Sequence, residues 1–195
     1  MTSFYSQEEL VHLGFKSIGN NVLISKKSSF YGINKICIGN NVRIDDFCIF
    51  STGNGGIEIL NNVHVAAYVS IIGESKITIN DYSGISSRVS IYSSNDDYSG
   101  EFMSNPTVPS KFTNVFSKDV LISKHVLVGS GSIILPGVTL HEGSVIGALS
   151  LVNKDCENFF IYKGNPAKKI VRRSKRLLEL EVQFLSSMQS IKSYK

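Results

Sequence analysis

Large aliphatic residues recur at every sixth position over long stretches of the chain. Ile122, Val128, Ile134, Leu140, Ile146 and Val152 keep the step without a break. The same step links Ile18 to Ile24, Ile38 to Ile44, Ile59 to Val65 and Ile71, and Ile79 to Ile85. Four places after each of these lies Val, Ser or Cys in all fifteen cases: Val22, Ser28, Val42, Cys48, Val63, Val69, Ser75, Ser83, Val89, Val126, Ser132, Val138, Ser144, Ser150 and Cys156. Alternation by two would indicate hairpins and a 3.6-residue period would indicate helix. A period of six predicts an all-β solenoid, a coil with three short flat faces. Each hexapeptide sends one large and one small side chain inward. Three hexapeptides close a turn, so residues eighteen apart are expected to stack about 4.8 Å apart. Ile122 then lies beneath Leu140, and Val128 beneath Ile146.

The corners of such a coil need residues that tolerate positive φ. Asn20-Asn21, Asn40-Asn41, Asn61-Asn62 and Asn80-Asp81 follow the large aliphatic position, and Asn and Asp enter that region more readily than other non-glycine residues. Three segments break the period. Residues 6–13 open on Ser6-Gln7-Glu8-Glu9, a capping-box pattern that predicts a short N-terminal helix. Residues 93–117 lose the repeat and carry Asp96, Asp97, Gly100, Pro106 and Pro109, a loop long enough to be functional or mobile. Residues 174–191 place Leu177, Leu178, Leu180, Val182, Phe184, Leu185 and Met188 among charges, which reads as an amphipathic helix covering the last coil or docking on another subunit. The expected organisation is an N-terminal helical cap over 1–17, a coil over 18–170 and a C-terminal helix over 171–195.

Composition suits one globular domain: 195 residues, 42% hydrophobic and 18% charged. No apolar run approaches the roughly 20 residues of a membrane span. The N-terminus lacks the basic-then-apolar pattern of a secretory signal. Cys48 and Cys156 occupy the small interior slot, and Cys37 is an outward neighbour of Ile38, so a reducing, cytoplasmic setting is expected. The net charge of +4 is uneven. Residues 163–195 carry nine Lys/Arg and two Glu, whereas residues 1–162 carry eleven basic and fourteen acidic residues. A basic C-terminus on a mildly acidic body points to a local anionic partner such as a phosphorylated cofactor.

The strings Ile134-Leu135-Pro136-Gly137-Val138, Ile146-Gly147-Ala148, Val152-Asn153-Lys154-Asp155 and Gly164-Asn165-Pro166-Ala167-Lys168-Lys169-Ile170 resemble the nodulation/galactoside acetyltransferase group of hexapeptide-repeat acyltransferases. The full pattern is closest to sugar acetyltransferases of O-antigen and capsule gene clusters, such as GDP-perosamine N-acetyltransferases. The resemblance implies a left-handed parallel β-helix, against the usual right-handed crossover preference. It implies a homotrimer with acetyl-CoA in the groove between subunits, an acceptor that is a nucleotide-linked sugar or a glycan, and no metal. In that group the long loop carries a catalytic His. The matching place here is Asn95-Asp96-Asp97, so the base must be sought elsewhere.

Acyl transfer from a thioester needs a base, a donor for the oxyanion and a grip on the cofactor. His64 falls where the resemblance places an active-site Tyr and is the first candidate base, expected at an outward corner, with Asp96 or Asp97 orienting it or binding the acceptor. His125 is the runner-up, close to the groove. The acidic pair also suits plain turn formation before Gly100, and each histidine a surface role. Tyr68 and Tyr98 are candidates for stacking on a sugar face. The resemblance places Ser130, Ala148, Asn153 and Lys154 along the pantetheine arm, with Lys154, Lys168, Lys169, Arg172 and Arg173 near its phosphates. A zinc hydrase on the same coil would need three His, which the neighbourhood of His125 lacks. A nucleic-acid binder would need interleaved basic and aromatic residues. A non-catalytic scaffold stays as the alternative of another class. An acidic pair beside an amine favours N- over O-acetylation.

Overall fold

A computed structural model describes residues 3–192, with side chains described to Met188. Met1 and Thr2 of the N-terminal segment and Ser193, Tyr194 and Lys195 of the C-terminal one lie outside the described residues. The rest is a left-handed parallel β-helix with a helix at each end. Short strands stack into three sheets of six, eight and six strands, with the chain visiting sheet one, two and three in turn.

The inward residues are those the period selects. Fourteen of the fifteen Val, Ser and Cys positions are buried, Ser75 being the half-buried exception. Cys48 and Cys156 are interior, as expected. The eighteen-residue stacking holds where the repeat is unbroken: Ile122 pairs with Leu140, Val128 with Ile146 and Ile134 with Val152. Nearer the N-terminus the turn is longer. Ile18 pairs with Ile38, Ile38 with Ile59 and Ile59 with Ile79, steps of twenty or twenty-one. The extra residues all fall at the corner from sheet three to sheet one, as in 53–56 and 73–76. The inward position beyond that corner takes Ile36, Ile57, Ile77 and Val120, each buried. The loop 93–117 is a larger insertion at this same corner, between Ile91 and Ile122. Its base is a two-residue antiparallel ladder joining Ser94 and Asn95 to Ser117 and Phe116.

Two corners keep their length and stack residue on residue. At the corner from sheet one to sheet two, Asn21, Asn41 and Asn62 hold φ near 55°. Their neighbours form a ladder, Asn40 Oδ1 accepting from the Asn20 N–H and Asn61 Oδ1 from the Asn40 N–H, each at 2.9 Å. Asp81 continues the ladder, but the positive φ of that turn belongs to Tyr82 rather than to Asn80 or Asp81, and in the next turn to His125. The corner from sheet two to sheet three stacks Phe47, Tyr68, Arg88, Gly131 and Leu149, all at positive φ.

Helix α1 (Gln7–His12) starts on the expected capping box: the Ser6 hydroxyl accepts from Glu9 N–H, and the Glu9 carboxylate accepts from Ser6 N–H. After the last coil, the strand Phe160–Lys163 closes sheet two and the chain doubles back as Lys168–Arg172, antiparallel to it. Helix α2 (Arg176–Lys192) then runs along the first corner. Its Glu181 reaches Lys124 and, at 2.8 Å, His125.

Candidate active site

His64 stands on the outer face of sheet two as the first residue of the strand His64–Val65, two places past the corner residue Asn62, with Arg43 and Gly84 as its strand partners. Gly84 leaves a gap between His64 and Leu127, where a Cβ would come within 3.1 Å of the Leu127 side chain. The gap opens into a cleft of about 300 Å³ lined by His64, Ala66, Ser86, Ser87, Leu127 and Ser130.

The carboxylate that holds His64 is that of Asp45, one coil below, whose Oδ2 lies 2.8 Å from Nε2. Asp45 also takes the Arg43 guanidinium at 2.7 Å. Burial works to raise its pKa, but the bonds from Arg43 and His64 outweigh it and hold the group below the usual carboxylate range. An ionised carboxylate only accepts, so Nε2 carries a proton, and in the neutral imidazole Nδ1 is the acceptor.

The acidic pair of the loop divides. Asp97 accepts from the Ser99 hydroxyl and the Gly100 N–H, and the Ser99 bond above all keeps its pKa low, so it is the turn former of the pair. Asp96 accepts from Asn105 N–H at 3.3 Å and lines a second cleft, of about 400 Å³, with Tyr98, Tyr92, Ile133 and Leu151. This cleft lies on sheet three. Within one chain the His64 cleft and the Asp96 cleft flank the corner of Phe47, Tyr68 and Leu149.

His125 is withdrawn from any groove. Its ring stacks on Tyr82 with centroids 5.1 Å apart, and its side chain is 10% exposed beneath Glu181. Tyr68 is half exposed, stacked on Phe47 at 5.0 Å, with Arg88 above it and Lys27 over Phe47. Tyr98 is 89% exposed at its cleft. Ser130 and Ala148 stack along the edge above Ser86 and Ser87. Asn153 and Lys154 follow the end of sheet three and are exposed.

The basic residues have several occupations. Lys169 is tied to Glu157 at 2.7 Å and lies over Phe160, which Arg172 also covers. Arg173 donates to the carbonyls of His125 and Gly143 and straps the chain to the coil. Lys154 and Lys168 make no ion pair among the described residues. Asp45 escaped the sequence reading because an eighteen-residue turn does not put it beside His64; the twenty-one-residue step from Ile44 to Val65 does. Ser86 and Ser87 carry no signal beyond their place after Gly84.

A parallel coil of hexapeptides with ligand-sized clefts on both sides of one exposed edge is the architecture of the left-handed β-helix class. No family model matches the chain. It is 60% identical, over 95% of its length and 96% of the relative's, to a dTDP-4-amino-4,6-dideoxy-D-glucose acyltransferase of Escherichia coli. It superimposes on AntD, an N-acyltransferase from Bacillus cereus solved with dTDP and 3-hydroxybutyryl-CoA, with a TM-score of 0.92, 46% identity and coverage of 97% of this chain and 100% of that one. AntD has also been solved with dTDP-4-amino-4,6-dideoxyglucose and coenzyme A, in forms with a serine substituted, and with dTDP and coenzyme A in forms with an aspartate further along substituted. A galactoside acetyltransferase in complex with coenzyme A shares the fold, with a TM-score of 0.59 and 24% identity over 87% of this chain and 71% of that one. The chain belongs to the hexapeptide-repeat acyltransferase family that includes the Escherichia coli dTDP-amino-sugar acyltransferase, and it is an acyltransferase.

Proposed function

We propose that this chain transfers an acyl group, acetyl in the first instance, from coenzyme A to the amine of dTDP-4-amino-4,6-dideoxyglucose. The observation that carries the reading is the 60% identity over 95% of the chain, a span too long to leave out the loop that bears Asp96. The acceptor's nucleotide is thus taken as dTDP, not GDP.

The chemistry follows from the two clefts. The acceptor amine arrives as an ammonium and must lose a proton before it attacks the thioester carbon. Asp96, in the sheet-three cleft, binds and orients that ammonium. One ammonium proton leaves to solvent; His64, its Nε2 held by Asp45, accepts the second nitrogen proton on Nδ1 as the N–C bond forms and gives it to the CoA thiolate as the C–S bond breaks. The Ser86 or Ser87 hydroxyl donates to the oxyanion of the tetrahedral intermediate. The substituted serine and aspartate of AntD lie ten residues apart, the spacing of Ser86 and Asp96, and of Ser87 and Asp97, in this chain. Lys154 and Lys168 receive the phosphates of coenzyme A, while Lys169 and Arg172 act only if they leave Glu157 and Phe160.

A homotrimer completes the site. Phe47, Ile49, Tyr68, Leu127, Ile133 and Leu149 are all exposed along one edge. Assembly on that edge sets the sheet-two cleft of one subunit against the sheet-three cleft of the next, joining His64 to Asp96 across the interface. The aromatic ladder of Phe47 and Tyr68 offers a stacking surface for the base or sugar. A cytoplasmic setting suits an acyl-CoA donor, and no helix among the described residues is long and apolar enough to cross a membrane.

The test is release of free CoA from acetyl-CoA by the purified chain with dTDP-4-amino-4,6-dideoxyglucose, with the N-acylated sugar identified by mass. Turnover with a hydroxylated analogue and none with the amine would replace this reading with O-acylation.

A further inference from the structure

Gly84 is a glycine that its own backbone does not demand. It opens the strand Gly84–Ile85 and does not hold a positive φ. Close backbone contact does not explain it either. A Cβ at Gly39 would meet the Leu60 carbonyl oxygen at 2.6 Å, and one at Gly129 the Ala148 nitrogen at 2.5 Å. Around Gly84, its chain neighbours aside, the one atom among the described residues within 4 Å of such a Cβ is Leu127 Cδ1, at 3.1 Å, the far end of a flexible side chain. A glycine weakens a strand and marks a place where something approaches the backbone closely. No part of the described chain does so here, and what the glycine supplies is open space above the strand.

That space lies beside the candidate base. His64, Gly84, Leu127 and Val145 stack in register on the outer face of sheet two. Two strand spacings, about 10 Å, separate His64 from Leu127. Between them the floor is made by Gly84, Ala66 and Ser86, none larger than serine. The cleft is therefore polar at His64 and apolar at its far end, where Leu127 is half exposed. With His64 as the base, the thioester carbon must come within its reach, and the acyl chain on that carbon has the bare strand at Gly84 next to it. The single methyl of an acetyl group leaves most of the gap up to Leu127 without contacts. Each further methylene placed there is removed from water and gains packing partners.

We propose that the bare strand at Gly84 is an acyl-chain subsite, and that the donor it fits best is a short linear acyl-CoA of the butyryl class, with Leu127 as the stop. The inference rests on the reading of the His64 cleft as the seat of the thioester. Gly84 and Leu127 determine specificity and take no part in the proton transfers.

The experiment titrates S-ethyl-, S-butyl- and S-hexyl-CoA, thioethers that cannot be turned over, into the intact protein by calorimetry without acceptor. Each Kd is taken relative to that of CoA for the same variant. We expect S-butyl-CoA to bind about tenfold more tightly than S-ethyl-CoA, the effect of burying two methylenes, and S-hexyl-CoA to gain nothing more. Gly84→Ala sets a methyl against Leu127 and should erase the butyl gain, whereas Leu127→Ala should extend it to S-hexyl-CoA. Equal or weaker relative binding of S-butyl-CoA, or a gain that survives Gly84→Ala, overturns the proposal, and the wild-type series decides alone where a variant does not fold. Turnover with dTDP-4-amino-4,6-dideoxyglucose is measured separately. There kcat/KM should be higher for butyryl-CoA than for acetyl-CoA, and the reverse order overturns the proposal. Failure with both donors removes the acceptor reading instead, and the thioether series still decides the subsite.

Discussion

Asp45 and His64 lie nineteen residues apart in sequence but meet at 2.8 Å through Oδ2 and Nε2, because the coil between them is twenty-one residues long. The pair places a proton on Nε2 of the histidine that opens into the sheet-two cleft. His64→Ala should lower kcat by about 10²–10⁴ with little change in the melting temperature, since its side chain is half exposed. Asp45→Asn, a change in a positioning residue, should lower kcat more than it raises KM and displace the pH–rate profile; Asp45→Glu should recover part of the loss. Unchanged pH–rate profiles for both variants would remove His64 from the chemistry.

The two loop carboxylates should separate cleanly. Asp96→Asn is expected to lower kcat/KM for the amino sugar by about 10²-fold or more, of the order of 3 kcal/mol, with coenzyme A binding intact. Asp97→Asn keeps the amide oxygen as acceptor for Ser99 and Gly100 and should stay within about threefold of wild type. Steady-state kinetics with varied acceptor decide; equal losses would mean that both residues merely shape the loop.

Glu181 anchors α2 through Lys124 and His125 with its side chain 11% exposed. Burial acts to raise its pKa, but the two bonded partners prevail and lower it. A depressed folded-state pKa means the stabilisation is fully present above the unfolded value near 4.3 and is lost as pH falls through the folded one. Glu181→Gln should therefore cost about 1–3 kcal/mol at pH 7. The gap between variant and wild type should close on acidification below about pH 4. Denaturant melts at the two pH values measure it.

Ser144 sits in the small interior slot of sheet two, where the turn below carries Val126. Its buried hydroxyl has no hydrogen-bond partner among the described residues. Ser144→Ala removes an unsatisfied polar atom and is expected to raise stability by about 1 kcal/mol in urea melts, without effect on turnover. A loss of stability would show that a bound water serves the hydroxyl.

The fold was largely legible because a solenoid repeats one local rule: the residues at the six-residue step, and fourteen of the fifteen small slots, are where the period put them. The capping box at Ser6 and the helix after residue 174 were equally local. What failed was anything needing the length of a turn. An eighteen-residue spacing gives Asp45 no partner, because it meets His64 through a coil of twenty-one. His125 was placed near a groove because nothing in its own segment shows that Glu181, 56 residues on, closes over it. The period equally said nothing of the strand Lys168–Arg172, whose antiparallel return belongs to the closing of the rod.

All irregularity of the coil is gathered at one corner, from Gly53–Gly56 and Gly73–Lys76 to the long loop, while the other two hold their spacing. Strand register on the clefts is thereby insulated from insertions. The corner at Gly53–Gly56 is a natural graft point: a foreign peptide spliced there would project from the rod as the native loop does, leaving the catalytic edge in place and making the enzyme a rigid display scaffold.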